Sequence, residues 1–209
     1  MNGQRRLPAL AVLFVLDRAM RIISGTLRGR RIPFNNRKFG NARVTSDFVK
    51  EAVFGSLGPD LSDVLLIDPF AGSGQIGFEA ASRGAAVWLN DRDKKRHAFI
   101  RSLIQEWQLL DQITLTNEDW RRWLKRISGD AMRYHIAYID PPYDAAGPDG
   151  MPESESCLHA ISDLDLLHPD GQVFVQHSKR VALPDRVGNL SQTRSKRYGD
   201  SLLSRYLLA

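Results

Sequence analysis

Two short stretches of this 209-residue chain combine acids, glycines, prolines and an aromatic ring in spacings that could do chemistry. One is Asp140-Pro141-Pro142-Tyr143. Consecutive prolines stiffen a chain and fix its direction. Such a turn projects the Asp140 carboxylate, the Pro141 carbonyl and the Tyr143 ring to one side. Two acceptors can then hold both N–H groups of an amine while the ring stacks on the base that carries it. The lone pair of a base amine is normally delocalised into its ring. Holding both N–H groups favours a pyramidal nitrogen and aims that lone pair at an electrophile. The other stretch is Asp68-Pro69-Phe70-Ala71-Gly72-Ser73-Gly74-Gln75-Ile76-Gly77. Its glycines let a ligand approach the backbone, and the helix expected after them offers unpaired N–H groups.

The second stretch has two chemical readings. Gly72, Gly74 and Gly77 satisfy G-x-G-x-x-G, and the acidic Asp91 follows at the end of the next apolar run, which is the dinucleotide pattern. A nicotinamide enzyme is therefore one reading. Asp68, immediately before the glycines, favours another. A carboxylate there would repel a pyrophosphate but suits a positively charged amino-acid moiety. S-adenosylmethionine carries an ammonium and a sulfonium and no phosphate. Its sulfonium would supply the electrophile for the amine held at Asp140, with no metal and no covalent intermediate. Positioning would supply most of the rate. A glycine-rich turn and a Pro-Pro turn are each unremarkable alone; their pairing behind two strands is what the methyl-transfer reading explains.

The elements that must position these loops alternate. Val64–Ile67 is a continuous apolar run, as expected of a strand buried on both faces. Helix is expected from Gln75 to Arg83, strand from Ala85 to Leu89, and helix over 94–108 with Ile100, Leu103, Ile104 and Trp107 on one face. Strand Ile113–Thr116, helix 119–127, strand Ile136–Ile139, helix 153–166 and strand Gln172–Gln176 complete the alternation. Thr45 or Ser46 would cap an earlier helix that runs to Leu57 and is stopped by Gly58-Pro59. Runs at Thr193–Lys196 and Leu202–Leu207 read as a closing hairpin, and residues 21–34 as an opening one, turned at Gly25 and Gly29. Such an alternation implies an α/β fold with a parallel sheet, right-handed crossovers and a ligand at the carboxyl ends of the strands. Arg5 and Arg6 before the apolar run Leu7–Leu16 imitate a secretory signal. The run is shorter than the roughly 20 residues a bilayer needs. We read three segments: an extension outside the core over 1–19, a hairpin and helix over 20–58 that would contact the substrate, and a catalytic domain over 59–209.

The net charge is +5, and the surplus is clustered. Arg28, Arg30, Arg31, Arg37, Lys38 and Arg43 crowd one stretch, and Arg194, Lys196 and Arg197 another. Contact with a polyanion backbone is the functional reading, a solvated face the plain one. Cys157 is the only cysteine, which excludes a disulfide framework and a cysteine metal site and fits a reducing cytoplasm. The five histidines, His97, His135, His159, His168 and His177, have no metal spacing. Trp88, Trp107, Trp120 and Trp123 are expected in the core, and Lys94, Lys95 and Arg96 on a solvated helix start.

From about Met20 to Tyr206 the chain resembles the RsmD family of small-subunit ribosomal RNA guanine-N2 methyltransferases. The likeness rests on Met20–Gly25, Leu27–Arg30, Thr45-Ser46-Asp47, Lys50–Phe54, Asp68–Gly74, Asp140–Tyr143 and Lys196-Arg197-Tyr198-Gly199-Asp200. It implies a class I S-adenosylmethionine-dependent methyltransferase: a Rossmann-like, mostly parallel seven-stranded sheet with an N-terminal β-hairpin extension. It implies methylation of the N2 amine of one guanine in 16S ribosomal RNA, as naked RNA or in a small-subunit assembly intermediate, by a cytoplasmic monomer that uses no metal. Asp68, Phe70, Ala71, Gly72, Ser73 and Gly74 would hold the methionine end of the cofactor, Asp91 the ribose hydroxyls and Asp119 the adenine amine. Asp140, Pro141, Pro142 and Tyr143 would be catalytic. Arg28, Arg30, Arg31, Arg43, Lys196 and Arg197 would contact RNA. Gly147-Pro148-Asp149-Gly150 would belong to a flap over the target base. A DNA adenine-N6 methyltransferase could use the same four catalytic residues, and a catalytically dead RNA-binding module could share the fold.

Overall fold

The computed structural model describes residues 20–36, 38, 39, 45–143, 145–147 and 150–209. The extension over 1–19, Arg37, Arg43 and the Pro148-Asp149 pair lie outside the described residues. Helix α1 is Asp47–Leu57. Its cap is the Ser46 hydroxyl, which accepts from the Val49 N–H at 3.4 Å, and it stops at Gly58 with φ 92°, a conformation that favours glycine. Then follow β1 (Leu65–Asp68), α2 (Gln75–Ser82), β2 (Ala86–Asn90), α3 (Lys94–Glu106), β3 (Ile113–Thr116), α4 (Trp120–Ile127), β4 (Tyr134–Ile139), α5 (Glu153–Asp163), β5 (Leu167–Ser178), β6 (Arg186–Val187), β7 (Leu190–Tyr198) and β8 (Ser201–Leu208).

All eight strands form one sheet in the order β3-β2-β1-β4-β5-β8-β7-β6. The first five run parallel, and β8, β7 and β6 antiparallel. The strand beyond the expected seven is the short β6, Arg186–Val187, pairing only with Ser191 and Leu190. The rest is the expected mostly parallel sheet with its hairpin close.

Two apolar clusters sandwich the sheet. One joins α1, α2 and α3 to Leu66, Val87, Leu89 and Ile136; the other joins α4 and α5 to Ile67, Ala137, Ile139 and Val175. Neighbouring residues of β1 and β4 divide between the two clusters, so these central strands are buried on both faces. Leu66, Phe78, Val87 and Leu89 are fully buried, each contributing about 1.5–3 kcal/mol of hydrophobic free energy. Met20, Ile22, Leu27 and Ile32 belong to the first cluster, so the segment over 20–58 shares its core with the rest.

The opening hairpin is reduced to one antiparallel bridge, Arg21–Arg31. Ile22 N–H donates to the Arg30 carbonyl and Ile32 N–H to the Met20 carbonyl, at 3.0 and 2.8 Å. The ladder goes no further because the next N–H groups are spent on α2. Ile23 and Ser24 donate to the two Glu79 carboxylate oxygens at 2.7 and 3.1 Å. Thr26 donates to the Ser82 carbonyl at 2.7 Å and Leu27 to the Ser82 hydroxyl at 2.9 Å. Gly25 lies against that carbonyl with no room for a Cβ. Ser82 ends α2, near the amino ends of the strands. The chain then climbs α3. Arg30 lies 5.5 Å from the Trp107 ring centroid, and Phe34 and Phe39 stack at 4.6 Å and pack on Phe99. Thr45 reaches the opposite end of the sheet, beside Asp140.

Candidate active site

β1 and β4 are adjacent strands, in register at Leu66–Ile136 and Ile67–Ala137. The loops after them therefore emerge one strand spacing apart, about 4.8 Å. A cleft of about 740 Å³ opens there, lined by Asp68–Ser73 on one side and by Asp140, Pro141, Pro142 and Tyr143 on the other. The two stretches singled out by their chemistry share one cavity.

The glycine turn is shaped by backbone sterics. Gly72 and Gly74 have φ 58° and 77°, and the Gly74 N–H donates to the Ala71 carbonyl at 2.7 Å. Gly74 is the N-cap of α2 rather than a residue lining the cleft, and a Cβ there would press on the Phe78 ring at 2.7 Å. The third glycine, Gly77, is a packing residue, because a Cβ would meet the Leu89 side chain at 2.6 Å. Asp68 is only 2% exposed and accepts the Phe70 N–H at 3.0 Å. Burial pushes its carboxyl well above the usual range, and the nearby Asp140 and Asp91 charges push it further.

Asp91 lines the cleft as expected, but its carboxylate is heavily engaged. One oxygen accepts from Gly72 N–H and Arg96 Nε at 2.9 Å each. The other accepts from Asp93 N–H at 2.8 Å and from the Arg96 guanidinium at 2.9 Å. A carboxylate has about four acceptor positions, so a ribose hydroxyl would share with or displace Arg96. Arg96 is thus not on a solvated helix start; it is a cleft residue at 22% side-chain exposure. Asp119 is not among the lining residues. Its carboxylate caps α4, accepting the Arg121 N–H at 3.0 Å, while its neighbours Glu118 and Trp120 line the cavity.

Sequence reasoning missed Glu153, which is 6% exposed in the first turn of α5 and reaches the same cavity. It accepts from Trp120 Nε1 at 3.4 Å and Arg121 at 3.5 Å, and Arg121 lies 4.2 Å from the Trp120 ring centroid. Trp120 is buried as expected, yet it also lines the cleft beside Phe70, centroids 5.8 Å apart.

Behind the proline corner lies a chain of polar contacts. Thr45 donates to Asp140 Oδ2 at 3.4 Å, and its carbonyl accepts from Gln75 Nε2 at 2.8 Å. Tyr138 donates to Gln176 Oε1 at 2.8 Å, and Gln176 Nε2 donates to the Tyr143 hydroxyl at 3.4 Å. Burial holds the Tyr138 hydroxyl well above its ordinary range, so it stays a donor. After the corner Ala146 bridges to Pro152, and the Gly147 N–H donates to the Met151 carbonyl at 2.7 Å.

The basic residues divide. Lys196 and Arg197 lie where β7 meets β8, level with the carboxyl end of β5 through Gln176–Leu203 and Leu203–Lys196 pairing. Arg28 lies on the turn docked to Ser82, and Arg30 and Arg31 on the arm beside Trp107, toward the other end of the sheet. Among the described residues no group of three His, Cys, Asp or Glu is placed to hold a metal ion, and no helix is long and apolar enough to cross a membrane.

A parallel sheet continued by an antiparallel hairpin, with a glycine turn after β1 and Asp-Pro-Pro-Tyr after β4 over one cleft, is the class I methyltransferase architecture. The likeness extends to known proteins. The sequence model of the family described as Conserved hypothetical protein 95 matches residues 20–207. YlbH of Bacillus subtilis is 32% identical over 181 residues, 86% of this chain and 94% of that protein. Ribosomal RNA small subunit methyltransferase D of Escherichia coli K12 is 30% identical over 180 residues, 85% of this chain and 84% of the relative. The solved structure of yhhF from Escherichia coli superposes with a TM-score of 0.73 at 25% identity, covering 91% of this chain and 98% of that one. The chain belongs to this family, the RsmD family of ribosomal RNA small subunit methyltransferase D proteins.

Proposed function

We propose that this chain transfers a methyl group from S-adenosylmethionine to the exocyclic N2 amine of a guanine in 16S ribosomal RNA. The observation that carries the reading is the sharing of one cleft by a buried, charge-hungry Asp68 and the Asp140–Tyr143 corner. The cofactor fits on physical grounds. Asp68 is a buried carboxylate with a raised pKa and, among the described residues, no cation paired with it. An ammonium would relieve that cost. A pyrophosphate would add negative charge beside Asp68, Asp91 and Asp140. When bound, S-adenosylmethionine supplies an electrophilic methyl group. The chain's own residues do the rest. Asp140 and the Pro141 carbonyl accept the two amine N–H groups, and Thr45 fixes the orientation of the Asp140 carboxylate. Tyr143, tied back by Gln176, stacks on the guanine. This geometry turns the nitrogen lone pair toward the methyl group. The proton lost from the methylated nitrogen passes to Asp140 or to water. Asp68, Phe70, Ala71, Gly72 and Ser73 bind the methionine end, and Glu118, Trp120 and Glu153 close the far side of the cavity in place of Asp119. The substrate is 16S ribosomal RNA, naked or in an assembling small subunit, and the enzyme acts as a monomer in the cytoplasm.

The test is Asp140→Ala assayed with labelled cofactor on 16S ribosomal RNA and on duplex DNA. Methyl transfer to the RNA is expected to fall by at least about 100-fold, roughly the loss of one well-placed acid–base or polarising group. Cofactor binding should persist. Unchanged turnover would remove Asp140 from the chemistry, and wild-type transfer to DNA in preference to RNA would replace the substrate.

A further inference from the structure

Strand register aligns a second feature with the corner. Tyr138 pairs with Phe174, Phe174 with Arg205 and Arg205 with Arg194. One row up, Gln176 pairs with Leu203 and Leu203 with Lys196. Cross-strand partners share a face of the sheet. Two rows therefore run outward on one face, from the residues behind Asp140 and Tyr143 to Arg194, Arg205 and Lys196. Arg194 and Lys196 are exposed, and none of the three makes an ion pair among the described residues. Arg205 Nε is buried without a hydrogen-bond partner.

Cations on β7 alone would be explained by edge protection, since β6 covers only Leu190 and Ser191 of that strand. Arg205 is not explained that way. It stands on β8, flanked by β5 and β7, and directly faces another arginine. Like charges in that register repel, and the Nε donor is left unsatisfied. The repulsion is relieved if an anion with several oxygens lies across the pair. We infer that the β7–β8 face carrying Arg194, Lys196 and Arg205 is the track for the RNA phosphate backbone flanking the methylated guanine. The inference rests on the RNA-methylating reading of the cleft and names the surface that delivers its substrate. β7 lies three strand spacings from β4, about 14 Å, so one RNA segment reaches both.

The experiment reverses charge at Arg194→Glu and Lys196→Glu, singly and together, in the full chain. Binding of a 16S ribosomal RNA transcript is measured over a salt series, alongside methyl-transfer kinetics and cofactor binding. Each single reversal should weaken RNA binding and raise KM for RNA by about 10-fold, leaving kcat at saturating RNA and cofactor affinity unchanged. The log–log salt slope should shrink by about 0.7–0.9 for every phosphate that is no longer neutralised. Arg194→Lys should retain binding. Arg194→Gln, which removes charge without adding repulsion, should show a smaller loss in the same direction and remains readable if a reversal disturbs folding. Unchanged RNA affinity and salt slope in the reversals would overturn this surface while leaving the methyl-transfer reading intact. RNA binding without transfer by the wild-type chain would overturn that reading and leave the surface standing.

Discussion

Asp68 and Glu79 are both buried carboxylates on one side of the same βα unit, 2% and 0% exposed, and the chain treats them in opposite ways. Glu79, on α2, is satisfied from every direction. Ile23 and Ser24 donate backbone N–H groups, and Arg83 donates through Nε and a terminal nitrogen at 3.1 and 2.8 Å. Asp68, at the end of β1, accepts the Phe70 backbone N–H and has two other carboxylates near enough to raise its pKa. A buried charge that is fully hydrogen-bonded holds structure together; one left short of cations stores a demand that a ligand can meet. Glu79 belongs to the end of the sheet where the N-terminal segment is docked, Asp68 to the end where the cleft opens.

That contrast breaks most visibly at Glu79. In Glu79→Ala the Arg83 guanidinium, 9% exposed, loses its partner, and the Ile23 and Ser24 N–H groups lose their acceptor. Removing one member of a buried pair costs about 3–5 kcal/mol. At roughly 2–4 °C per kcal/mol the melting temperature should fall by on the order of 10 °C. Cofactor affinity of the folded protein should be unchanged. A melting temperature within a degree or two of wild type would mean that Glu79 is not the anchor described.

Asp68→Asn should do the reverse. The amide keeps the shape and drops the charge. S-adenosylmethionine affinity should fall by about 10- to 100-fold, or roughly 1.4–2.8 kcal/mol, while the ligand-free protein melts no lower than wild type. Calorimetric titration and thermal melts of the same sample read both quantities. A loss of stability without loss of affinity would make Asp68 a structural residue like Glu79.

The pH dependence sharpens the difference. Asp68 binds its proton more tightly folded than unfolded, where a carboxyl titrates near 3.8. Its contribution to stability is therefore fully present below that value and is lost as pH rises through the raised folded pKa. Across the same window cofactor affinity should rise, because the carboxylate is the form that pairs with an ammonium. Melting and binding measured from about pH 4 upward should show opposite slopes, and Asp68→Asn should flatten both. Parallel slopes would assign the titration to another group.

How much of this is legible in the residues follows the same division. Apolar runs and glycine punctuation place β1 and α2 within a residue or two, because burial on both faces and positive φ leave plain marks. The proline corner and glycine turn are readable because their chemistry is local. Partnership is not. Asp119 reads as a ligand acceptor, but a carboxylate before a helix is equally an N-cap, and only the Arg121 N–H contact separates the two. Arg96 reads as solvated because nothing local shows that Asp91 lies beneath it. β5 extends back from the expected start at Gln172 through His168-Pro169-Asp170-Gly171. Its pairing with β4 is irregular between Tyr134 and Ile136, and a Cβ at Gly171 would lie 2.9 Å from the Tyr134 carbonyl. The arginines at 28, 30 and 31 form a dense basic run, yet docking to Glu79 and Ser82 carries them away from the cleft.

The smallest effect is expected where the two kinds of buried polar group meet. Gln176 is 2% exposed and engaged at both ends, like Glu79, but it stands at the cleft end and one of its partners is Tyr143. If it acts through that hydroxyl, Gln176→Leu should lower kcat about 10-fold, or roughly 1.4 kcal/mol, with little change in KM for either substrate. Tyr143→Phe should produce a similar loss by releasing the same hydrogen bond while keeping the stacking ring. The double variant should then be no worse than the poorer single one, since the second change removes nothing that remains. Two losses that simply add would separate Gln176 from Tyr143 and return it to the structural class that Glu79 represents.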